Sequence, residues 1–350
     1  MTAGARVLIV TDAWHPQVNG VVRTLSKLAE MLAGLGIEVT FITPDGFHSF
    51  PMPFYPDIRL ALATPRQIAR QIAEAAPDFI HIATEGPLGQ LARRACLAQG
   101  LAFTTSYHTK FPEYLSARLP IPERWTYRKL REFHNSGQGV MVATASLGDD
   151  LAHRGFRNIR PWTRGVDAEL FNPGRRCELD LPRPIFLSVG RVAVEKNLPA
   201  FLDLDLPGSK VVVGDGPELP ALRNRYPGAY FLGALPTGEL AQIYASVDVF
   251  VFPSLTDTFG NVVLEAMASG CPVAAFPVTG PKDIVGSGGV LAADLHTAAL
   301  AALEVPREAA RATALAFSWP ACTQQFLDNL RPAGPVGCPV GVSTVAAAMP

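Results

Sequence analysis

The chain has 350 residues, 48% of them hydrophobic and 17% charged, with a formal net charge of -1. That length suits two domains of ordinary size, and that composition excludes a disordered polyelectrolyte and a bulk nucleic-acid binder. The charge is mildly uneven: residues 1–170 hold 18 Lys+Arg against 15 Asp+Glu, and the remainder 12 against 16, which fits a basic half facing an anionic surface and fits chance nearly as well.

The first half alternates. RVLIV (6–10) reads as a strand buried in a parallel sheet, and the loop TDAWHPQVNG follows it. VVRTLSKLAEMLAG sets Val21, Leu25, Leu28, Leu32 and Leu35 at helical spacing, with Gly34 and Gly36 to stop the helix. IEVTFITP, DFIHIAT (78–84), LAFTTS (101–106) and GVMVAT (139–144) read as further strands, with PLGQLARRACLAQG a helix between two of them. Residues 163–184, rich in Pro, Gly and charge, read as a linker. The rhythm restarts with strands PIFLSVG (184–190), KVVVG (210–214), AYFLG (229–233), VDVFVFPS (247–254) and PVAAF (272–276), and with helices at ELPALRNRY and TGELAQIYASV.

The expected fold is α/β, two Rossmann-like doubly wound domains facing across a cleft. The expected bounds are 1–165, joined by a helix at about 318–331, and 166–317, with 332–350 disordered. Cys96, Cys177, Cys271, Cys322 and Cys338 form no CxxC pair and stand near no His at metal-ligand spacing, the pattern of reduced thiols. The N-terminus has no long apolar h-region, and no run reaches the roughly 18 apolar residues that span a membrane. A cytoplasmic protein, peripheral at most on the inner membrane face, is expected.

Ligands in such sheets bind beyond the carboxyl ends of strands, and the chemistry-bearing residues stand there. Arg191 and Lys196 follow PIFLSVG, two cations suited to a diphosphate. After VDVFVFPS comes LTDTFGNVVLEAMASG, where a helix beginning near Gly260 would turn its N–H groups toward phosphate oxygens. Glu265, about one and a half turns in, suits ribose hydroxyls, and Asp257 suits the hydroxyls of a hexose. Taken singly, Asp257 reads rather as a cap and Glu265 as a surface helix residue. GxGxxG is absent after the first strand, which argues against a nicotinamide or flavin enzyme. DLD at Asp203–Asp205 mimics a metal-binding DxD but lies away from the strand ends and reads as surface.

GRVAVEKN, VVVGDGPE and DVFVFPSLTDTFGNVVLEAMASGCPV, together with WHPQVNGVVRT, SYHTKFPEY and WTRGVDAELFNP, resemble the retaining GT-B glycosyltransferases of family 4 over residues 6 to about 330. The likeness is to bacterial members making mannosyl or glucosyl glycolipids, the sulfoquinovosyl transferases included. It implies transfer of a hexose from a nucleoside diphosphate, GDP-mannose or a UDP-hexose, to a lipid or saccharide hydroxyl with retention at the anomeric carbon. The departing diphosphate, held by Arg191, Lys196 and the helix N-terminus, would itself help deprotonate the acceptor, with no metal and no other cofactor. The resemblance assigns catalysis to His108, Arg191, Lys196 and Asp257, His108 contacting the transferred sugar. It assigns the nucleotide sugar to Asn19, Gly20, Val21, Arg191, Lys196, Asp257, Thr258, Phe259, Gly260 and Glu265.

One departure stands out: both paired acids of the family are Glu, whereas the first here is Asp257, one methylene shorter. His81, inside a strand, reads as structural, and His15 as facing the acceptor. YLSARLPIPERWTYRKLREFH (114–134) mixes Arg118, Arg124, Arg128, Lys129 and Arg131 with Tyr114, Trp125, Tyr127 and Phe133. It suits either a membrane-facing surface helix or a helix whose aromatics pack inward. Competing functions are a non-transferase GT-B enzyme such as a nucleotide-sugar epimerase and a catalytically degenerate nucleotide-sugar-binding protein. The Arg191, Lys196, Asp257 and Glu265 set fits transfer better than either.

Overall fold

The computed structural model describes residues 4–17, 19–52, 55–116 and 122–334. It divides into two compact units: residues up to 107 with 130–141 and those from 327 onward, and residues 108–129 with 142–326.

In chain order the first elements are β1 (Arg6–Val10), α1 (Gly20–Gly34), β2 (Glu38–Ile42), β3 (Ser49–Met52), β4 (Tyr55–Ala61), α2 (Pro65–Ala75) and β5 (Phe79–Ile82). Then follow α3 (Pro87–Gln99), β6 (Thr104–Tyr107), α4 (Phe111–Ser116), α5 (Glu123–His134), β7 (Val140–Val142), α6 (Ala145–His153) and β8 (Ile159–Pro161). The main strands form a six-stranded sheet in the order β2-β1-β5-β6-β7-β8, and β3 and β4 pair apart from it, antiparallel. The pairs β1·β2, β1·β5 and β5·β6 are parallel. The hairpin escapes sequence reading because Pro51, Pro53 and Pro56 interrupt both runs.

Helix α1 buries Val22, Leu25, Leu28 and Leu32, while Val21 is only half-buried and Leu35 is an exposed C-cap. The buried stripe is thus one residue out of step with the expected one at its start and a turn shorter at its end. Inside the sheet His81 is buried between Thr104 (3.0 Å) and Ser106 (3.1 Å), which confirms its structural reading.

The second series is β9 (Ile185–Val189), α7 (Pro199–Leu202), β10 (Ser209–Val213), α8 (Leu219–Arg225), β11 (Tyr230–Gly233), α9 (Thr237–Ser246), β12 (Val249–Phe252) and α10 (Asn261–Ala268). After it come β13 (Val273–Ala275), α11 (Pro281–Ile284), β14 (Gly289–Leu291), α12 (Leu295–Ala302), α13 (Arg307–Leu315) and α14 (Trp319–Asn329). The sheet order is β11-β10-β9-β12-β13-β14, parallel at every neighbouring pair. Apolar layers cover both of its faces, one around Leu187, Phe250 and Val263, the other around Phe186, Val212 and Val251, which is why these strands read as unbroken apolar runs.

Residues 163–184 carry no strand or α-helix, yet they are packed. Trp162, Arg164, Val166 and Phe171 are buried. The amide of Val166 donates to Phe317 O (3.0 Å) and that of Thr163 to Gln325 Oε1 (2.9 Å). A Cβ at Gly165 would fall 2.5 Å from the Trp319 backbone nitrogen, so only glycine fits there. The helix expected at 318–331 forms as α14, and Pro332 bridges antiparallel to Phe79. The rest of the expected disordered tail, from 335, lies outside the described residues.

Candidate active site

In the second sheet the strand order reverses between β9 and β12, and the carboxyl ends of those two strands flank the natural ligand crevice. Arg191 leaves β9 and Asp257 follows β12 by five residues. The loop carrying Arg191 and Lys196 is strapped from both sides. On one side Val192 donates to Asp215 O (2.9 Å) and Glu218 to Val192 O (3.1 Å). The glycines of GDGPE permit this approach: a Cβ at Gly214 would sit 1.8 Å from Gly190 O, and one at Gly216 2.3 Å from Val192 O. On the other side Asn197 Nδ2 donates to Pro253 O (3.1 Å) and Ser254 Oγ to Glu195 O (3.3 Å). Arg191 and Lys196 line one small hollow with Gly190, Phe252, Pro253 and Ser254.

Lys196 Nζ donates to Asp257 Oδ2 at 2.7 Å, with the two side chains 25% and 17% exposed. Burial pushes the Asp257 carboxyl up. The charge and hydrogen bond of Lys196 and the amides of Thr258 and Phe259 push it down, and the balance lies below the ordinary carboxylate value. In this state the shorter acid is drawn back onto its own turn and onto Lys196.

Helix α10 starts as expected. Gly260 is its N-cap at φ 92°, ψ 67°, and no side chain caps it. The loop at Gly280 (φ 93°) closes on this turn, where a Cβ would meet Phe259 O at 2.7 Å. Glu265 is buried, 7% exposed, and accepts a hydrogen bond from Tyr244 at 3.3 Å. Burial removes the surface-residue reading of this acid.

His108 immediately follows β6. Its carbonyl accepts the Thr258 hydroxyl at 2.7 Å, and Thr144 Oγ1 donates to Thr258 O at 3.4 Å. The structure therefore brings Arg191 with Lys196, Lys196 with Asp257, and His108 with Thr258. Asn19, Gly20 and Val21 lie in the other unit at the start of α1, where Asn19 Oδ1 accepts the amides of Val21 and Val22, both at 3.0 Å.

His15 lies 3.3 Å from Ser26 Oγ and lines a cavity of about 240 Å³ with Gln17, Asp45, Phe47, Ser49 and Arg59. Asp203 and Asp205 are exposed, Asp203 accepting from Tyr226 at 2.7 Å. Cys96, Cys177, Cys271 and Cys322 are free thiols, and burial pushes Cys96 and Cys271 up to about 12. Cys338 lies outside the described residues.

Two residues near His108 were not singled out from sequence. Thr144 caps α6, and Arg164 lies 3.2 Å from His108 Nδ1. Nothing local marks either: one is an ordinary cap, the other one of several cations in an irregular stretch.

Residues 18–170 match the model of glycosyltransferase family 4, and residues 183–305 that of glycosyl transferases group 1. A GDP-mannose-dependent alpha-mannosyltransferase of Mycobacterium tuberculosis (strain CDC 1551 / Oshkosh) is 32% identical, over 81% of this chain and 82% of its own. The chain belongs to glycosyltransferase family 4. Sulfoquinovosyl transferase SQD2 of Arabidopsis thaliana is 33% identical over 79% of this chain and 60% of its own length. In fold, sucrose-phosphate synthase from Thermosynechococcus elongatus superposes with a TM-score of 0.72 at 20% identity, over 93% of this chain and 98% of that one. This family 4 enzyme is a GT-B glycosyltransferase, as the motif order implied. Its second sheet carries the 190–197 loop and the turn into α10 side by side at the β9/β12 switch point.

Proposed function

We propose that this enzyme transfers a hexose from a nucleoside diphosphate to a lipid or saccharide hydroxyl with retention and without a metal. The observation that carries the reading is the cluster at the β9/β12 switch point. There Arg191 and Lys196 line one hollow, Lys196 grips Asp257, and α10 begins without a side-chain cap. A diphosphate entering there would exchange the Asp257 carboxylate for its own oxygens on Lys196, and the first amides of α10 would stabilise its growing charge as the sugar departs. Asp257, its carboxyl held low by a cation and two amides, suits acceptance of sugar hydroxyls better than attack on the anomeric carbon. That favours a mechanism in which the leaving group itself takes the acceptor proton. Glu265 would take the ribose hydroxyls, and the cavity beside His15 and Arg59 would admit the acceptor's polar end.

The donor is GDP-mannose or a UDP-hexose. Two relatives of nearly equal identity are named for transfer of different sugars, so overall likeness does not choose. Calorimetric titration with GDP, UDP, GDP-mannose and UDP-glucose tests the site, with Lys196→Ala and Glu265→Ala alongside. One nucleotide family should bind and both variants should weaken it. Binding of neither, or unaltered binding in both variants, overturns the reading. Retention is checked on the product by the anomeric coupling in its NMR spectrum.

A peripheral membrane contact belongs to the same proposal. Helix α5 buries Tyr127, Leu130, Phe133 and His134 and exposes Arg124, Trp125, Arg128 and Lys129, with Trp125 64% exposed. Two of its aromatics pack inward, and the third stands among cations on the outer face. Such a face suits an anionic headgroup layer. Arg118 and the side chain of Tyr114 lie outside the described residues, and no described helix is long and apolar enough to cross a membrane. Sedimentation with anionic and neutral vesicles tests the contact, and equal binding to both removes it.

A further inference from the structure

Arg164 is 4% exposed and charged, and among the described residues no carboxylate pairs with it. Its Nη1 donates to the carbonyls of Trp162 (2.6 Å) and Thr163 (3.0 Å). The guanidinium lies 4.4 Å from the Trp162 ring centroid, and that ring meets the His108 ring at 5.7 Å and 69°. The remaining Nη2 lies 3.2 Å from His108 Nδ1. Burial brings Arg164 down to about 10, so the group stays protonated at neutral pH. A buried cation without a counter-ion is costly, and this one spends its free corner on an imidazole nitrogen.

A guanidinium has donors only. For Nη2 to bond Nδ1, that nitrogen must present a lone pair, and a neutral ring must then carry its hydrogen on Nε2. The other end of the residue is fixed as well, by the Thr258 hydroxyl on the His108 carbonyl at 2.7 Å.

We infer that Arg164 is a positioning residue: by holding Nδ1 of His108 as an acceptor it presents His108 Nε2–H as a fixed hydrogen-bond donor to the transferred hexose. This rests on the reading of His108 as a sugar contact. Arg164, buried at 4% exposure, acts in this reading only through His108, so its loss would be felt in turnover rather than in nucleotide affinity.

The test uses the full chain labelled with 15N-histidine, the His108 signal being assigned by its disappearance in His108→Gln. The wild-type protein without ligand should show the Nε2–H tautomer, with Nδ1 at the shift of an unprotonated, hydrogen-bonded nitrogen. Arg164→Met should lose that signature and about 10- to 100-fold in kcat with GDP-mannose or UDP-glucose, whichever turns over. Its affinity for the matching nucleotide should hold within about twofold. Arg164→Lys, which restores one donor, should recover part of both signature and rate. A wild-type Nδ1–H tautomer overturns the inference, as does an Arg164→Met variant that folds, by circular dichroism, and keeps its kcat. If Arg164→Met does not fold, the wild-type tautomer and Arg164→Lys decide. If no nucleotide sugar binds the wild type, the functional reading and this role fall together, whereas a wrong tautomer in an active enzyme removes only the role of Arg164.

Discussion

Each sheet has one point where its strand order reverses, and the two are finished differently. At β1/β5 the carboxylate of Asp12 enters the first turn of α3, accepting the amides of Leu88 (2.9 Å) and Gly89 (3.3 Å) and the Thr84 hydroxyl (2.9 Å). At β9/β12 the helix that follows, α10, is capped by Gly260 as α3 is by Gly86, but among the described residues no side chain from elsewhere accepts its first amides. Both places offer the same electrostatics, a ring of amides at the positive end of a helix. In the first the chain supplies its own carboxyl group, held tightly enough that a Cβ at Gly86 would sit 2.5 Å from it. In the second it supplies two cations instead. A switch point filled from within serves the fold, and one left with cations around it is the one proposed to take the donor.

Lys196→Ala attacks that contrast hardest. It removes a cation from the proposed diphosphate site and leaves Asp257 without its Lys196 partner, and kcat/KM should fall about 100- to 1000-fold in a transfer assay. Glu265→Gln keeps the shape and removes the charge, and nucleotide affinity measured by calorimetry should weaken about 10-fold. Gly260→Ala puts a side chain at φ 92° and 3.2 Å from Val263 Cγ2. It should cost about 1 kcal/mol or more in denaturant unfolding and several-fold in nucleotide affinity.

At the other switch point Asp12→Ala should destabilise by about 2 kcal/mol, seen as a lower Tm, and leave nucleotide affinity untouched. Equal effects of Asp12→Ala and Glu265→Gln on affinity would erase the distinction. The smallest effect expected is none. The Asp257 carboxyl is lowered in the folded chain, so its ion pair contributes stability above the ordinary carboxylate value, and that contribution is lost only as pH falls through the folded value, below about 4. A melting series from pH 5 to 8 should show no step from this group.

The second sheet was the more legible one. Its central strands are apolar on both sides and stop at glycine or proline, so PIFLSVG, KVVVG and VDVFVFPS are recovered within one or two residues as β9, β10 and β12. The short β14 was not foreseen, because three residues between glycines and a turn carry too little periodicity. Around the site, residues carried by a motif were found, Lys196 and Glu265 among them. Their state was not. That Lys196 is already spent on Asp257 is a fact of side-chain geometry that spacing does not encode. Arg164 was missed for a different reason: its partner His108 lies 56 residues away, and no local pattern announces a contact at that separation.

The crossing at residues 163–166 has a consequence for connectivity. The chain enters there and leaves at 317–325, and the two passages are hydrogen-bonded side by side, Val166 to Phe317 and Thr163 to Gln325, with Cys322 Sγ donating to Thr163 O at 3.1 Å. The stretch they enclose lies within the second unit and is drawn shut at its neck. Closing a loop of that length costs entropy that grows only slowly with its size, and here the neck's own hydrogen bonds offset it. New termini opened on an exposed turn within the enclosed stretch would leave the neck to hold register, whereas a cut at Gly165 would separate the two passages where backbone lies against backbone.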